Sequence, residues 1–417
     1  MIAASIATGF TMIVLVANLG STSFKYKLYD MAGAGSTVPA LLAQGAADRL
    51  GQGRSTWSVQ TGGADRRGTD DLADHAAAIE LHLAQLLDTG ALDRIEQLDA
   101  IGFKAVHGGP IGGAVKIDDA VLATMQQFSD VAPQHNPPYL AAMRAFGERL
   151  PGVPQVAAFE SGYHQTIALS RQVYGVPHDW IEQFGIRRYG FHGASHRYIA
   201  TRMAQIAPQA SRIISCHLGG SCSICAIRDG QSQANSFGMT AQGGVFHASR
   251  VGDFDTFALL KLLQAGMDLD TIFKTLGKEA GLKGLSGVSA DMREVERAAD
   301  GGDEQARLAI DAFTESCRHY IGAYLAVLNG TDAVVFTGGI GQHGRAVRSA
   351  ICRDLDYAGI VLDESKNAVA SGDDESRIDA APEGEGVAIW VVPTNEELIV
   401  AKQTVDVLST EPAAHHA

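Results

Sequence analysis

Residues 12–30 read MIVLVANLGSTSFKYKLYD, and this pattern predicts a β-hairpin. The apolar run MIVLVA at 12–17 is typical of a buried strand, and YKLYD at 26–30 alternates as a paired strand does. The connection NLGSTSFK at 18–25 fits a solvated turn. It fits equally a phosphate cradle of hydroxyls and backbone N–H groups, with Lys25 as the counter-charge. These residues alone leave both interpretations open.

Apolar stretches that end in glycine or polar residues recur along the chain, and they predict an α/β fold. Two lie in the first half: LDAIGFKAVHGG at 98–109 and PQVAAFESGYHQT at 154–166. Four lie in the second: SRIISCHLGGS at 211–221, CSICAIRDGQSQ at 222–233, DAVVFTGGIGQ at 332–342 and VAIWVVPTNEE at 387–397. Such tips form the ligand crevice of an open sheet. A hairpin followed by a Gly-tipped strand in both halves suggests a duplicated unit.

Apolar residues at helical spacing predict helices in four other segments. They are 71–88, 256–280, 291–300 and 303–329. The polar stretch at 51–71 is predicted to be either an extra strand with loops or a surface excursion.

Composition sets limits on the class of protein. A chain of 417 residues predicts two domains of about 150 to 200 residues each. A net charge of −14 without a basic run argues against nucleic acid and membrane partners. Five scattered cysteines do not form a disulfide framework, which favours a reducing cytoplasm. The apolar residues before the first strand have no basic n-region or cleavage site, and are interpreted as a tail.

The stretch VVFTGGIG at 334–341 is compatible with a nucleotide site, but by itself it is equally compatible with an ordinary turn, which uses the same residues. A β-branched strand stops at Thr337, and the following glycines allow close approach of a phosphorylated ligand. HLGGS at 217–221 gives a second Gly-tipped strand in the same half. The chain lacks G-x-x-x-x-G-K-[ST], and no G-x-G-x-x-G follows its first strand, so a P-loop enzyme and a Rossmann dehydrogenase are disfavoured.

Two histidines in RRYGFHGASHRYIA at 187–200 are spaced i, i+4. A zinc site is disfavoured because the glutamate of H-E-x-x-H is absent, and Cys222 and Cys225 likewise lack a second cysteine pair. We expect His192 to lie in a cleft, where an imidazole can hydrogen-bond a transferring phosphoryl group. His196 is interpreted as a buried structural histidine.

Two arginines are candidate ligand contacts. Arg250, in HASRVGDFD at 247–255, suits bidentate contact with phosphate or carboxylate, but an ion pair with Asp253 is equally compatible. In GLSGVSADMREVE at 284–296, Ser289 or Asp291 is predicted to cap a helix. Arg293 then lies on the first turn, where a cation opposes the helix dipole, and this suggests a ligand-facing role.

Taken together, nine motifs in order resemble the acetate kinase (acetokinase) family of the acetate and sugar kinase, Hsp70 and actin superfamily, from about residue 13 to 405. They are NLGSTSFK, VHGG, HNP, YGFHGASH, HLGG, SRVGDFD, LSGVSADMR, FTGGIG and PTNEEL. The resemblance implies an α/β fold of two ribonuclease-H-like (actin-like ATPase) domains with a central cleft. It places the N-terminal domain at 1–160 plus 396–417, the nucleotide-binding domain at 161–395, and implies a homodimer.

The resemblance also implies an activity: reversible transfer of the γ-phosphoryl of ATP to a short-chain carboxylate, giving an acyl phosphate and ADP, with Mg²⁺. In-line phosphoryl transfer asks the protein mainly for positioning and positive charge. The implied catalytic residues are Asn18, Glu160, His192 and Arg250, with Asn18 and Glu396 as metal ligands. The implied carboxylate-binding residues are Lys104, Val106, Gln134, Phe191 and Ala241. The implied nucleotide-binding residues are Ser23, Lys25, His217, Gly219, Gly220, Asp291, Arg293, Gly338, Gly339, Ile340 and Gly341.

Several positions depart from the family pattern. Glu160 stands for an aspartate, which moves the charge by roughly 1.5 Å, and Lys104 stands for an arginine, which removes the bidentate fork. Gln134 replaces a leucine and Ala241 a proline, which predicts a wider and more polar acceptor pocket. Nucleotide-side motifs differ at Gly220, Ser221, Gln342 and His343. Three alternatives follow: a larger or more polar acceptor acid, pyrophosphate as donor, or a weakly catalytic sensor that binds nucleotide.

Overall fold

The computed structural model describes residues 12–32, 39–129, 135–382 and 385–410. The chain divides into two compact units, Met1–Gly162 with Asn395–Ala417, and Tyr163–Thr394. The tail expected before the first strand lies outside the described residues, as do the residues after 410. Within the described ranges, no helix is both long and apolar enough to cross a membrane.

The first unit is built on a mixed sheet. Its strands are β1 Ile13–Gly20, β2 Ser23–Asp30, β3 Ala40–Asp48, β4 Arg54–Thr61, β5 Asp65–Asp71, β6 Ala100–Ala105, β7 Ala114–Lys116 and β8 Gln155–Phe159. They lie in the order β5-β4-β3-β2-β1-β6-β8-β7. The predicted hairpin is confirmed, because β1 pairs antiparallel with β2 from Ile13 opposite Asp30 to Gly20 opposite Ser23. The stretch at 51–71, left open above, is the β4–β5 hairpin at the edge of this sheet.

Three helices cover this sheet before the chain enters the second unit. They are α1 His75–Asp88, α2 Asp119–Gln127 and α3 Asn136–Arg149, with a 3₁₀ turn at Ile95–Gln97. Asp74 begins α1 by accepting a hydrogen bond from the Ala77 amide. The apolar faces of α1 and α3 pack with β1, β2 and β6 in one hydrophobic core.

The second unit has its own sheet and core. Its strands are β9 Arg212–Leu218, β10 Cys222–Arg228, β11 Gln231–Asn235, β12 Ala333–Thr337, β13 Ser376–Arg377 and β14 Ala388–Val391, in the order β11-β10-β9-β12-β14-β13. Its helices are α4 Leu169–Gln172, α5 His178–Phe184, α6 Gly193–Ile206, α7 Ala258–Gln264, α8 Leu269–Lys278, α9 Gly281–Ser286, α10 Met292–Asp300, α11 Glu304–Leu328, α12 Gly338–His343, α13 Arg345–Cys352 and α14 Glu364–Val369. Short 3₁₀ helices lie at Gly162–Thr166 and Asp356–Ala358.

Both sheets share one plan, which supports the duplicated unit. In the first, β1, β2 and β3 are antiparallel, and β6 and β8 then add in parallel beyond β1. In the second, β9, β10 and β11 are antiparallel, and β12 and β14 add in parallel beyond β9. The predicted α/β class is confirmed.

The chain ends in helix α15, Glu396–Thr410, which returns to the first unit. A Cβ on Gly102 of β6 would lie 2.4 Å from Thr404 Oγ1 and 3.0 Å from Val400 Cγ1. The glycine therefore lets the helix pack closely on the sheet. This packing fixes the position of the first residues of α15.

The five cysteines are free and buried, as expected for strand and core residues. Cys222 and Cys225 belong to different hydrophobic clusters, because residues three apart on a strand face opposite sides of the sheet. The C-x₂-C spacing is therefore not a metal pair.

Candidate active site

Three charged side chains of the implied site lie together at one edge of the first sheet. Strands β6 and β8 are parallel neighbours, so Lys104 on β6 and Glu160 directly after β8 reach the same edge. Helix α15 begins at Glu396 and brings a second carboxylate there. Lys104 Nζ lies 3.9 Å from Glu160 Oε1 and also contacts Glu396 Oε2. The lysine thus bridges two carboxylates.

This charged group is shielded from solvent. The side chains of Lys104, Glu160 and Glu396 are only 18%, 4% and 12% exposed. Burial alone lowers the pKa of Lys104, but the charges of Glu396 and Glu160 outweigh it, so the pKa lies above its ordinary value. The ammonium group is therefore a fixed cation at any pH where the protein works.

Asn18 lies beside this group, near the end of β1. Its Nδ2 donates to Glu397 Oε1 at 3.4 Å, and its Oδ1 accepts from the Tyr139 hydroxyl at 3.4 Å. Glu397 also pairs with Lys27 at 3.2 Å. Burial raises the pKa of Glu397. The charges of Lys27 and Lys104 together lower it by a larger amount, so the pKa lies below its ordinary value. Asn18 is held between an ionised carboxylate and a phenol.

The opening turn is tight and partly solvated. Ser23 pairs with Gly20, and a Cβ on that glycine would lie 2.6 Å from Ser23 Oγ. Lys25 lies opposite Asn18 on the paired strand, with its side chain exposed. The hairpin therefore carries the Ser23 hydroxyl and the exposed Lys25 ammonium group close to Asn18, since Lys25 is its partner on the opposite strand.

The implied carboxylate contacts of the first unit are only partly described. Val106 follows β6, is half-buried, and packs against the first core. Gln134 lies outside the described residues. Between them, Gly108 has no room for a side chain, because a Cβ would lie 2.6 Å from the Phe159 ring.

In the second unit, His192 begins helix α6 in an unusual backbone conformation. Its φ is 57°, in the left-handed region that a non-glycine residue rarely adopts. Its Nδ1 lies 2.8 Å from Ser223 Oγ, which also lies 2.8 Å from His196 Nε2. His196 Nδ1 in turn lies 2.9 Å from Ser215 Oγ, and burial lowers the pKa of His196 well below its ordinary value. His196 is thus a buried, hydrogen-bonded histidine, as predicted.

Phe191 and Arg250 also lie in the second unit. The Phe191 carbonyl is 2.8 Å from His164 Nε2, and the Phe191 ring packs edge-on against Phe237.

Arg250 Nη1 donates to the Ala241 carbonyl, and burial lowers the pKa of Arg250 below its ordinary value. The predicted alternative of an Arg250–Asp253 ion pair is wrong for the described residues, because Asp253 bonds Tyr320 Oη and the Gly244 amide.

The two Gly-tipped strands are neighbours in the second sheet. Strands β9 and β12 are parallel, so His217, Gly219 and Gly220 end at the same edge as the glycines of α12. A Cβ on Gly219 would lie 3.8 Å from the Gly339 amide nitrogen. Gly338 has φ 75°, and a Cβ there would lie 2.7 Å from the Leu218 carbonyl oxygen, so glycine is required. Gly341 is buried, whereas Ile340 is half-buried and Gly339 exposed.

Asp291 and Arg293 form a local pair at the start of α10. Asp291 is the N-cap and accepts from the Arg293 amide at 2.9 Å and from its guanidinium. The hydrogen bond with the Arg293 side chain lowers the pKa of Asp291 to about 2. This pairing accounts for an arginine on the first turn. No hydrogen bond or ion pair between described residues joins these two side chains to the glycine tips.

Sequence reasoning missed Glu397, Tyr139 and Ser223. Glu397 belongs to the PTNEEL motif and was available as a neighbour of Glu396. Tyr139 and Ser223 have no sequence signal, since a tyrosine on an amphipathic helix and a serine in a strand are ordinary.

The chemistry of the donor atoms fits Mg²⁺. The amide oxygen of Asn18 and the carboxylate of Glu396 are hard oxygen ligands, and Mg²⁺ is usually held by one or two carboxylates plus substrate phosphates and water. Among the described residues, no group of three or more His, Cys, Asp or Glu side chains is placed to hold a metal ion.

Comparisons with known proteins give one consistent result. The sequence profile of the acetokinase family matches residues 13–402. The chain is 37% identical over 401 residues to the acetate kinase of Shouchella clausii, covering 95% of this chain and 99% of that protein. The crystal structure of Porphyromonas gingivalis acetate kinase superposes with a TM-score of 0.86 at 36% identity, covering 95% of this chain and all of that one.

A propionate kinase structure from Francisella tularensis matches with the same TM-score of 0.86 at 30% identity, covering 95% of this chain and 100% of that chain. Matches of this closeness over both whole chains confirm the predicted fold class. The chain belongs to the acetokinase family.

Proposed function

We propose that this protein transfers the γ-phosphoryl group of ATP reversibly to a short-chain carboxylate, giving an acyl phosphate and ADP. The observation that carries the proposal is the convergence of Asn18, Lys104, Glu160 and Glu396 at one sheet edge of a chain of the acetokinase family. A buried cation beside oxygen ligands is what binding of a carboxylate and a phosphoryl group requires.

In the first unit, we assign Asn18 and Glu396 to Mg²⁺, which would neutralise phosphate charge when bound. Lys104 and Glu160 serve the acceptor side, where the cation attracts the substrate carboxylate. Val106 and Gln134 contact the acyl chain. Ser23 and Lys25 bind phosphate oxygens through a hydroxyl and an exposed ammonium group.

In the second unit, His192 and Arg250 stabilise the charge on the transferring phosphoryl group. Phe191 and Ala241 contact the acyl chain. His217 and the glycines Gly219, Gly220, Gly338, Gly339 and Gly341, with Ile340, bind the nucleotide phosphates. Asp291 and Arg293 serve the adenosine end.

The acceptor we propose first is acetate, with propionate second, because the similar proteins named above are acetate kinases and a propionate kinase. Purified protein with Mg-ATP and a series of acids, read by hydroxamate formation, tests this directly. Acyl phosphate formation with acetate above background is the expected result. Turnover with pyrophosphate alone, or nucleotide binding without turnover for every acid, would overturn the proposal.

Acceptor preference should respond to the two charged positions. In the Glu160→Asp, Lys104→Arg double variant, the carboxylate retreats by one methylene and the cation becomes a planar fork. We expect kcat/KM for acetate to rise relative to that for longer acids, measured with the same hydroxamate assay. Unchanged ratios would show that these positions do not set acceptor preference.

We also propose a cytoplasmic homodimer. The free buried cysteines suit a reducing compartment. Large apolar side chains are exposed on α7 and α8 and just before α7: Phe257 is 76%, Leu260 53% and Phe273 60% exposed. Such a patch is typical of a surface that a partner covers.

Light scattering should therefore give the mass of a dimer for the natural chain. The Phe257→Glu, Phe273→Glu variant should give that of a monomer, because two buried charges would oppose the contact. A monomeric natural chain would contradict the proposal.

A further inference from the structure

We propose that Ser215, His196 and Ser223 form a hydrogen-bonded relay in which each group donates to the next and the last donates to His192 Nδ1. The relay holds the ring proton of His192 on Nε2. Nε2 is then the donor that His192 presents to the phosphoryl group. The part played by His192 rests on the proposed function. The relay itself rests only on contacts within the second unit.

The relay consists of three contacts, and its three members Ser215, His196 and Ser223 are fully buried, whereas His192 at its end is half-buried. Ser215 Oγ lies 2.9 Å from His196 Nδ1, His196 Nε2 lies 2.8 Å from Ser223 Oγ, and Ser223 Oγ lies 2.8 Å from His192 Nδ1. Ser215, His196 and Ser223 are 0% exposed. Each of these groups must therefore satisfy its hydrogen-bonding capacity within the protein.

The direction of the relay is set at Ser215. Across the described ranges, its hydroxyl has one hydrogen-bond partner, His196 Nδ1. A hydroxyl carries a single proton, and a buried donor that points nowhere is costly. Ser215 therefore donates to Nδ1, which must be the unprotonated nitrogen of His196.

The remaining steps follow from counting protons. Burial keeps His196 neutral, so its one ring proton lies on Nε2 and is donated to Ser223 Oγ. The Ser223 proton is then left for His192 Nδ1, the other partner of that oxygen. His192 Nδ1 accepts, and in the neutral ring the proton lies on Nε2.

The same reasoning applies to the neighbouring ring. Ser195 is fully buried, and its hydroxyl has one hydrogen-bond partner in the described part of the chain, His217 Nδ1 at 2.8 Å. Ser195 therefore donates to His217 Nδ1, and in the neutral form of the ring the His217 proton lies on Nε2. The His192 and His217 rings lie 4.2 Å apart between centroids, so serine hydroxyls orient two adjacent imidazoles in the same sense.

The backbone at His192 is fixed independently. His164 Nε2 lies 2.8 Å from the Phe191 carbonyl and must donate to it, while His164 Nδ1 lies 2.8 Å from Ser232 Oγ. This contact holds Phe191, the residue before His192, and His192 itself has a φ of 57°. With the backbone before His192 held in this way, the contact with Ser223 sets the orientation of the His192 ring. Ser215, His196 and Ser223 are thus positioning residues that act through His192.

The relay makes a prediction that a packing role does not. In protein labelled with ¹⁵N-histidine, NMR should show His192 Nδ1 as a pyridine-like acceptor and Nε2 as pyrrole-like. In Ser215→Ala, His196 can move its proton, so the His192 signals should shift toward a tautomer mixture although Ser215 bonds only to His196. Ser236→Ala is the matched control: this buried serine bonds the Ile224 amide and should leave the His192 signals unchanged.

Activity gives the second measurement. Ser223→Ala should lower kcat about tenfold with KM for ATP and carboxylate unchanged, since one orienting hydrogen bond is lost. Ser223→Thr, which restores the hydroxyl, should recover most of kcat. Two results would overturn the relay: a pyrrole-like His192 Nδ1 in the natural protein, or His192 signals that are the same in Ser215→Ala as in the natural protein. Failure of every acid to give acyl phosphate, with the NMR result intact, would instead overturn the proposed function.

Discussion

Replacing Lys104 by methionine should destabilise the first unit by about 3–5 kcal/mol, because it leaves two buried carboxylates without their cation. Glu160 and Glu396 share Lys104, and their side chains are 4% and 12% exposed. Phosphoryl transfer should also fall by about 10²–10³, the usual cost of removing one preorganised charged contact. Both losses have the same cause, since the cation that balances the carboxylates is the one proposed to attract the acceptor.

Hydrogen exchange of peptides from β6 and β8 measures this loss within the first unit, and the hydroxamate assay measures activity at a temperature where the variant is folded. Lys104→Arg should keep the stability within about 1 kcal/mol, because the charge stays. Lys366→Met is a control at a partly exposed ion pair with Asp363 in the second unit, where exchange of peptides from α14 should show a loss of about 1 kcal/mol or less. A fully stable Lys104→Met protein would show that the carboxylates do not depend on the lysine.

Lowering the pH from 7 to 4 should unfold the second unit before the first. Among the described residues, four histidines have a pKa that burial lowers: to about 4 for His82 and His164, to about 3 for His247, and well below the ordinary value for His196. Three of the four lie in the second unit, and only His82 lies in the first.

The sign follows from proton uptake. Below the ordinary histidine pKa of 6.5, these histidines bind protons in the unfolded chain but not in the folded chain. Proton binding therefore stabilises the unfolded state, and the free energy of unfolding falls. The stabilisation is complete above 6.5 and is lost as the pH falls toward each folded-state pKa. His164 and His247 each lose about 1.4 kcal/mol of this stabilisation per pH unit in that range, and His196 changes in the same direction, so the second unit loses a large share of a typical domain stability.

Hydrogen exchange at a series of pH values reports each unit separately. His82→Leu, which places an apolar side chain beside the rings of Phe24 and Tyr26, should reduce the acid sensitivity of the first unit and leave the second unchanged. His178→Leu is the control, because His178 is 77% exposed and pairs only with Glu182 on the surface. Equal acid sensitivity of both units would contradict the assignment.

Local pattern accounts for much of the fold. The alternation in 12–30 predicted the β1–β2 hairpin, and the short polar residues before MREVE predicted a helix cap at Ser289 or Asp291, of which Asp291 is the cap. Both depend on neighbours in the chain, where strand period and capping chemistry operate. The two Gly tips were predicted as separate signals, but their adjacency follows from the parallel pairing of β9 with β12.

The proton state of His192 lies beyond such reasoning. Ser223 reaches His192 across 31 positions, and the Ser215 contact with His196 spans 19. Which face each serine takes depends on the register of β10 against β9 and on the packing of α6 over both. No spacing rule encodes that combination.

Short-range periodicity and motifs in a fixed order were enough to predict the opening hairpin, the Gly-tipped strands, several helices and the family. The pairing of the charged side chains, in contrast, depends on contacts between distant parts of the chain. Asn18 meets Glu397 across 379 positions, and Lys104 meets Glu396 because α15 returns to pack on Gly102. Burial and partner charge set the protonation of a side chain, and both are properties of packing rather than of neighbours in the chain.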